Sequence, residues 1–197
     1  FYFKFFWFYH YLINMIKFLV ILLATLTSIA LAKDEISIPF TEENARYWQY
    51  ISDQTMGGIS NGQAVLDKDG DIIFARLTGN VSTANNGGFI QIRTTFSFVD
   101  LINSDKNLLG VRLNTKGNGE TYHIFIRTSE DRSYRDFYSA TFTANENWEI
   151  VDLPFTKFKH RYSNKSLDGN DIRTFGIVAY GREFFSDVSV SEIIFYD

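Results

Sequence analysis

Asn85-Asn86-Gly87-Gly88-Phe89-Ile90-Gln91-Ile92-Arg93-Thr94-Thr95-Phe96-Ser97-Phe98 joins a paired-glycine turn to the clearest strand pattern in the chain. Ile90, Ile92, Thr94, Phe96 and Phe98 fall on one side of an extended backbone, and Gln91, Arg93, Thr95 and Ser97 fall on the other. A period of two predicts a sheet with one face buried. Some thirty residues earlier, Asp53-Gln54-Thr55-Met56-Gly57-Gly58-Ile59-Ser60 carries a second glycine pair. Glycine loses the most backbone entropy on folding, so two together imply a tight corner or a close backbone approach.

The same alternation recurs on both sides of these loops. Residues 36–40 form a short alternating run that Pro39 limits to an edge strand or a strand end. Residues 41–45 suit one helical turn capped by Thr41. Residues 63–66 and 72–81, joined by Asp67-Lys68-Asp69-Gly70, read as a hairpin. Val111 and Leu113 point inward from a strand over 110–115, with Arg112 and Asn114 outward. Lys116-Gly117-Asn118-Gly119 then turns the chain into residues 121–128, where Tyr122, Ile124 and Ile126 share a face. Further strands are predicted over 137–143, 148–153, 175–180 and 189–196. After residue 32 no long stretch has the apolar spacing of an amphipathic helix. The expected fold is all-β, an antiparallel sandwich or jelly roll.

The amino terminus is of a different kind. Residues 1–14 are nearly all Phe, Tyr, Leu and Ile, as when AT-rich non-coding sequence is translated, and read as a mis-called or disordered leader, with a genuine hydrophobic anchor as the alternative. Residues 15–32 match a secretory signal peptide: Lys17 in a short positive start, an apolar stretch from Phe18, and Ala30-Leu31-Ala32 as a cleavage site. The predicted mature chain is one domain, residues 33–197, exported to a bacterial periplasm or secreted. Lys4 and Lys17 leave with the leader and no acid does, so the formal charge of −4 becomes −6. That balance lacks the basic footprint of a nucleic-acid binder. With no cysteine in the chain, neither disulfides nor thiolates contribute.

No constellation of catalytic residues emerges. Asp67-Lys68-Asp69-Gly70-Asp71 places glycine fourth and Thr78 twelfth, where a helix-flanked calcium loop needs glycine sixth and glutamate twelfth. His123 and His160 fit no metal spacing, and no Gly-x-Ser-x-Gly elbow is present. A Ser-His-Asp set could only be assembled from scattered residues. Asp53 reads first as an Asx turn bracing its glycine corner, and second as an acid or base acting on an envelope polymer. Outward-facing Arg93, Arg112 and Arg127, if on neighbouring strands, would line one sheet face with Tyr122 nearby, a combination suited to sugars or peptides. Asp53, Asn85 and Asn86 complete the candidate binding set. Met56, Gly57, Gly58, Ser60, Gly87, Gly88, Phe89 and Trp148 are expected to be structural. Neither metal nor cofactor is expected, and the retained leader is the only predicted membrane contact.

Read in order, Trp48, Asp53-Gln54-Thr55-Met56-Gly57-Gly58-Ile59-Ser60 and Asn85-Asn86-Gly87-Gly88-Phe89 with Arg93 resemble the complex I intermediate-associated protein 30 family. Lys116-Gly117-Asn118-Gly119, Tyr122, Trp148, Leu153-Pro154-Phe155, Phe158 and Phe175-Gly176-Ile177 extend the resemblance through residues 40–197. It implies a galactose-binding-domain-like jelly roll. It also implies an alternative role, since better-known members help assemble mitochondrial respiratory complex I and are not established as enzymes. The export pattern departs from that mitochondrial setting. The leading expectation is therefore an exported, non-catalytic module that binds a protein or carbohydrate.

Overall fold

The computed structural model describes Met15 and residues 35–95 and 107–197. Apart from Met15, the leader and the signal-peptide pattern lie outside the described residues, as do Phe96 and Phe98. The chain divides into two compact units, Phe1–Lys33 and Asp34–Asp197, and the second carries the strands. In chain order these are β1 (Ile36–Pro39), β2 (Trp48–Ser52), β3 (Asn61–Asp69), β4 (Ile72–Val81), β5 (Phe89–Thr94) and β6 (Gly110–Gly117). They continue as β7 (Thr121–Thr128), β8 (Tyr138–Thr143), β9 (Glu149–Pro154), β10 (Lys159–His160), β11 (Ile172–Tyr180) and β12 (Phe184–Tyr196).

Two antiparallel sheets result. Sheet A runs β3-β4-β12-β6-β9, with β1 beside the far half of β12, and sheet B runs β10-β8-β7-β11-β5-β2. The expected all-β sandwich is the observed one. The inward residues Ile90, Ile92, Ile124, Ile126, Phe175 and Ile177 of sheet B join Leu77, Val111, Leu113, Val188, Ile193 and Phe195 of sheet A in one buried cluster. Burying each such side chain contributes about 1.5–3 kcal/mol, offsetting backbone entropy without disulfides.

β12 shows how a single strand serves two neighbours. Its inward positions shift from Val188 and Val190 to Ile193 and Phe195, and a bulge between Val190 and Glu192 absorbs the extra residue. Ser191 at that bulge accepts the Phe40 N–H on its carbonyl at 2.9 Å, and the Asn114 amide on its hydroxyl at 2.8 Å. Pro39 ends β1, as its missing N–H predicts. The turn after it is a 3-10 turn over Asn44–Tyr47, with the Thr41 hydroxyl accepting the Asn44 N–H at 3.1 Å.

One turn differs from the sequence reading, and another has a role that the sequence left open. β3 runs on to Asp69, which pairs with Ile72, so the hairpin turn is Gly70-Asp71 with Gly70 at φ 60°. The Asp69 carboxylate is held by Lys116 Nζ at 2.9 Å and Trp148 Nε1 at 3.2 Å, which keeps that end of β3 in the sheet. The Lys116–Gly119 turn makes no hairpin. It carries the chain from β6 in sheet A across to β7 in sheet B. Among the described residues, no helix is long and apolar enough to cross a membrane.

Candidate functional site

Asp53 sits immediately after β2 and has no solvent exposure. Its Oδ1 accepts the Ser60 N–H at 2.9 Å, and its Oδ2 accepts Ser60 Oγ at 2.5 Å, Gly88 N at 2.6 Å and Phe89 N at 3.1 Å. One carboxylate thus bolts the first glycine loop to the second. Burial pushes its pKa up, but the hydrogen bonds from Ser60, Gly88 and Phe89 outweigh that and hold it below the usual carboxylate range. The glycines now have a specific cause. A Cβ on Gly58 would lie 2.4 Å from the Asp53 carboxyl carbon, and one on Gly87 would lie 2.5 Å from Oδ2. Asn85 and Asn86 adopt left-handed φ values of 55° and 59°, and they stand exposed at the turn that feeds β5. Asp53 is therefore a structural bolt, with no lone pair turned toward solvent for acid–base work.

The outer face of sheet B is different in kind. Because inward and outward residues alternate, Gln91 and Arg93 of β5, Val178 and Tyr180 of β11, and His123, Phe125 and Arg127 of β7 all face away from the core. Register sets them side by side. Val178 pairs with Gln91 on one flank and His123 on the other, and Gly176 lies between Arg93 and Phe125. Phe125, Phe137 and Val178 form an apolar cluster separate from the core, with Phe89 and Tyr180 packed against it. Phe125 stacks on Phe137 with centroids 3.9 Å apart, and Tyr180 meets Phe125 edge-on at 5.2 Å. His123 stands 5.4 Å from the Tyr180 ring, its Nδ1 3.2 Å from Ser139 Oγ. Burial, then the Arg182 charge, lowers the His123 pKa below 6.5.

Polar groups on this face lack partners. Gln91 Oε1, Arg93 Nε, Arg127 Nε and Thr174 Oγ1 are buried with no hydrogen-bond partner. Each such group left unsatisfied costs about 1–3 kcal/mol, and more when charged. Burial lowers the Arg93 pKa. Arg127 is pushed down to about 10 by burial and then by the Arg93 charge. Arg127 does donate from Nη2 to the Tyr134 carbonyl at 2.7 Å.

The remaining sequence candidates lie elsewhere. Arg112 is on β6, hence in sheet A, where it pairs with Glu35 at 2.6 Å and lies over the Tyr196 ring. Tyr122 is wholly buried between the sheets, donating to Asn118 Oδ1 at 2.7 Å and accepting the Asp187 N–H at 2.9 Å. Only Arg93 and Arg127 of the three arginines therefore share a face. Gln91, Phe125, Phe137, Thr174 and Tyr180 were not singled out from sequence. Their signal was an apolar residue, Phe125, on the side of its strand opposite Tyr122, Ile124 and Ile126.

Elsewhere a concavity of about 550 Å3 is bounded by residues 107–109, 155–156, 158–160 and 163–169. At its rim Asp131, His160 and Ser163 form a hydrogen-bonded series. His160 Nε2 is 3.0 Å from Asp131 Oδ1, and Nδ1 is 2.9 Å from Ser163 Oγ. Nδ1 also accepts the Tyr162 N–H at 3.2 Å, so that lone pair already serves the loop. The series fastens the segment after β10. Among the described residues, no cluster of His, Cys, Asp or Glu could hold a metal ion.

The fold is thus a two-sheet antiparallel sandwich whose second sheet carries, on its outer face, a separate ring cluster and polar atoms without partners. The chain belongs to the complex I intermediate-associated protein 30 family, whose model matches residues 38–186. No curated protein sequence matches it. Among solved structures it is similar to the family 11 carbohydrate-binding module of the cellulosomal cellulase Lic26A-Cel5E of Clostridium thermocellum. The TM-score is 0.66 and identity 14%, covering 84% of this chain and 95% of that one. The same family's module in complex with a β-1,3-1,4-mixed-linked tetrasaccharide gives 0.64 at 14% identity, over 82% and 95%. A family 30 carbohydrate-binding module gives 0.53 at 12%, over 83% and 99%. At these identities the likeness is one of fold.

Proposed function

We propose that this protein is a non-catalytic carbohydrate-binding module that takes its ligand on the outer face of sheet B. The carrying observation is the conjunction on that face of the half-buried Tyr180 ring, backed by the buried Phe125 and Phe137 rings, with Gln91, Arg93 and Arg127. Sugar rings present C–H faces that pack on aromatics, while their hydroxyls take hydrogen bonds from planar amide and guanidinium groups. The fold shared with carbohydrate-binding modules supports this reading. So does the engagement of Asp53 and His160 in holding loops.

Tyr180 is half-buried at the edge of the ring cluster, so its removal trims the face without opening the core. Glycan-array screening of the full-length protein is expected to return a bound oligosaccharide. Tyr180→Ala should then weaken binding by about tenfold, the loss of roughly one ring contact. Unchanged affinity in that variant, or an array with no bound glycan, removes the proposal. We further propose export, on the signal-peptide pattern of residues 15–32. Mass determination of the mature protein should place its start at Lys33, and a retained leader would count against export.

A further inference from the structure

Resting on the carbohydrate-binding reading above, we propose that the ligand is an acidic carbohydrate whose carboxylate or sulfate is seated by Arg93 and Arg127 beside Gly176. The two arginines flank β11. Arg93 pairs with Gly176 from β5, and Arg127 pairs with Thr174 from β7. Gly176 leaves the position beside Arg93 on β11 without a side chain, and a Cβ there would come no nearer than 3.2 Å to Gln91 Oε1. Both Nε atoms are buried without a hydrogen-bond partner, and Arg127 also feels the like charge of Arg93. A bound oxyanion would remedy both at once, since a planar fork matches a carboxylate or sulfate in two parallel hydrogen bonds.

Sheet A supplies the contrast. There Arg76 is gripped by Asp187 through two bonds of 2.8 Å, Arg112 pairs with Glu35, and Lys116 pairs with Asp69. On sheet B, among the described residues, neither Arg93 nor Arg127 has a carboxylate in ion-pair range. The acids nearest Arg127 are already engaged: Asp131 by Thr128 and His160, Asp136 by the Ser133 N–H. A protein of formal charge −4 that leaves two half-buried arginines without a carboxylate partner on one face has a place for an outside anion. Gln91 Oε1 and Thr174 Oγ1, also partnerless, stand beside them for neighbouring sugar hydroxyls.

The test is calorimetric titration of the full-length protein with four probes: tetragalacturonate, its methyl ester, a sulfated agaran-type tetrasaccharide, and a neutral mixed-linked β-glucan tetrasaccharide. At least one acidic probe should bind about tenfold tighter than the methyl ester and the neutral glucan, as one charge-assisted contact predicts. Which acid wins identifies carboxylate or sulfate as the source. Arg93→Gln and Arg127→Gln should each collapse that preference towards one, and Arg93→Lys should restore it only in part. Arg112→Gln, on the other sheet, should leave it intact. The methyl-ester comparison needs no variant and so stands even if a substitution unfolds the protein. Equal binding of acidic and neutral probes, or neutral binding alone, overturns this inference and leaves the carbohydrate-binding reading in place. Binding of no carbohydrate overturns both.

Discussion

Asp53 concentrates more of the fold's local logic than any other side chain. Its four accepted hydrogen bonds span thirty-six residues of chain, and the two glycines nearest it exist to admit its carboxylate. Asp53→Asn turns one oxygen into a donor facing the Gly88 and Phe89 N–H groups or the Ser60 side, so it should destabilise by about 2–4 kcal/mol. Chemical denaturation would measure this. A carboxyl whose folded pKa is depressed stabilises above its unfolded pKa, and that contribution is lost as pH falls through the folded value. The wild-type protein should therefore lose stability below about pH 4, and Asp53→Asn should flatten that dependence. Gly58→Ala and Gly57→Ala separate two causes. The first meets Asp53 at 2.4 Å and should cost about 1–3 kcal/mol through overpacking. The second has open space but φ +88°, and should cost about 1 kcal/mol from backbone strain alone. Equal losses would mean that the bolt does not set the corner.

Among the elements, β7 and β11 show why sheet B has two working faces. Ile124, Ile126, Phe175 and Ile177 enter the core, and His123, Phe125, Val178 and Tyr180 cover the outside. An outer face this apolar between the rings lowers the local dielectric, which is why His123 sits below its usual pKa. The sign of the linkage is that of a buried base. Between the folded and unfolded pKa values the unfolded chain binds more protons, so stability rises with pH and the contribution is lost as pH falls below about 6.5. Proton NMR titration of the His123 imidazole should give a midpoint under 6.5. A midpoint at or above it would contradict a dry outer face. Sheet A's outside, threaded with Arg76–Asp187 and Lys116–Asp69 pairs, is by contrast an ordinary solvated surface.

For the whole molecule, Asp34–Asp197 holds one continuous core between two sheets. A fragment of those residues should unfold in a single cooperative transition with the same midpoint with and without reductant, since no cysteine contributes. Two separable transitions would refute the single-domain reading. Most strand positions, the inward faces and the two glycine corners were legible in the sequence, because period-two alternation and glycine's backbone freedom are local properties; β2 and β10 were not. Ile90 and Ile92 or Tyr122 and Ile124 declare their side of a strand without reference to anything distant. Which strands share a sheet is a different matter, since pairing partners lie far apart in sequence. Arg112 alternates just as Arg93 and Arg127 do, yet the crossing from β6 to β7 puts it on the opposite sheet. The same holds for Asp53, whose fourfold hydrogen bonding depends on a loop thirty-five residues away. The sequence by itself thus determined an all-β sandwich with two glycine corners. Only the tertiary structure decided that those corners share one buried carboxylate, and that two arginines with partnerless Nε atoms flank β11 on one face, because both depend on long-range strand register rather than on local pattern.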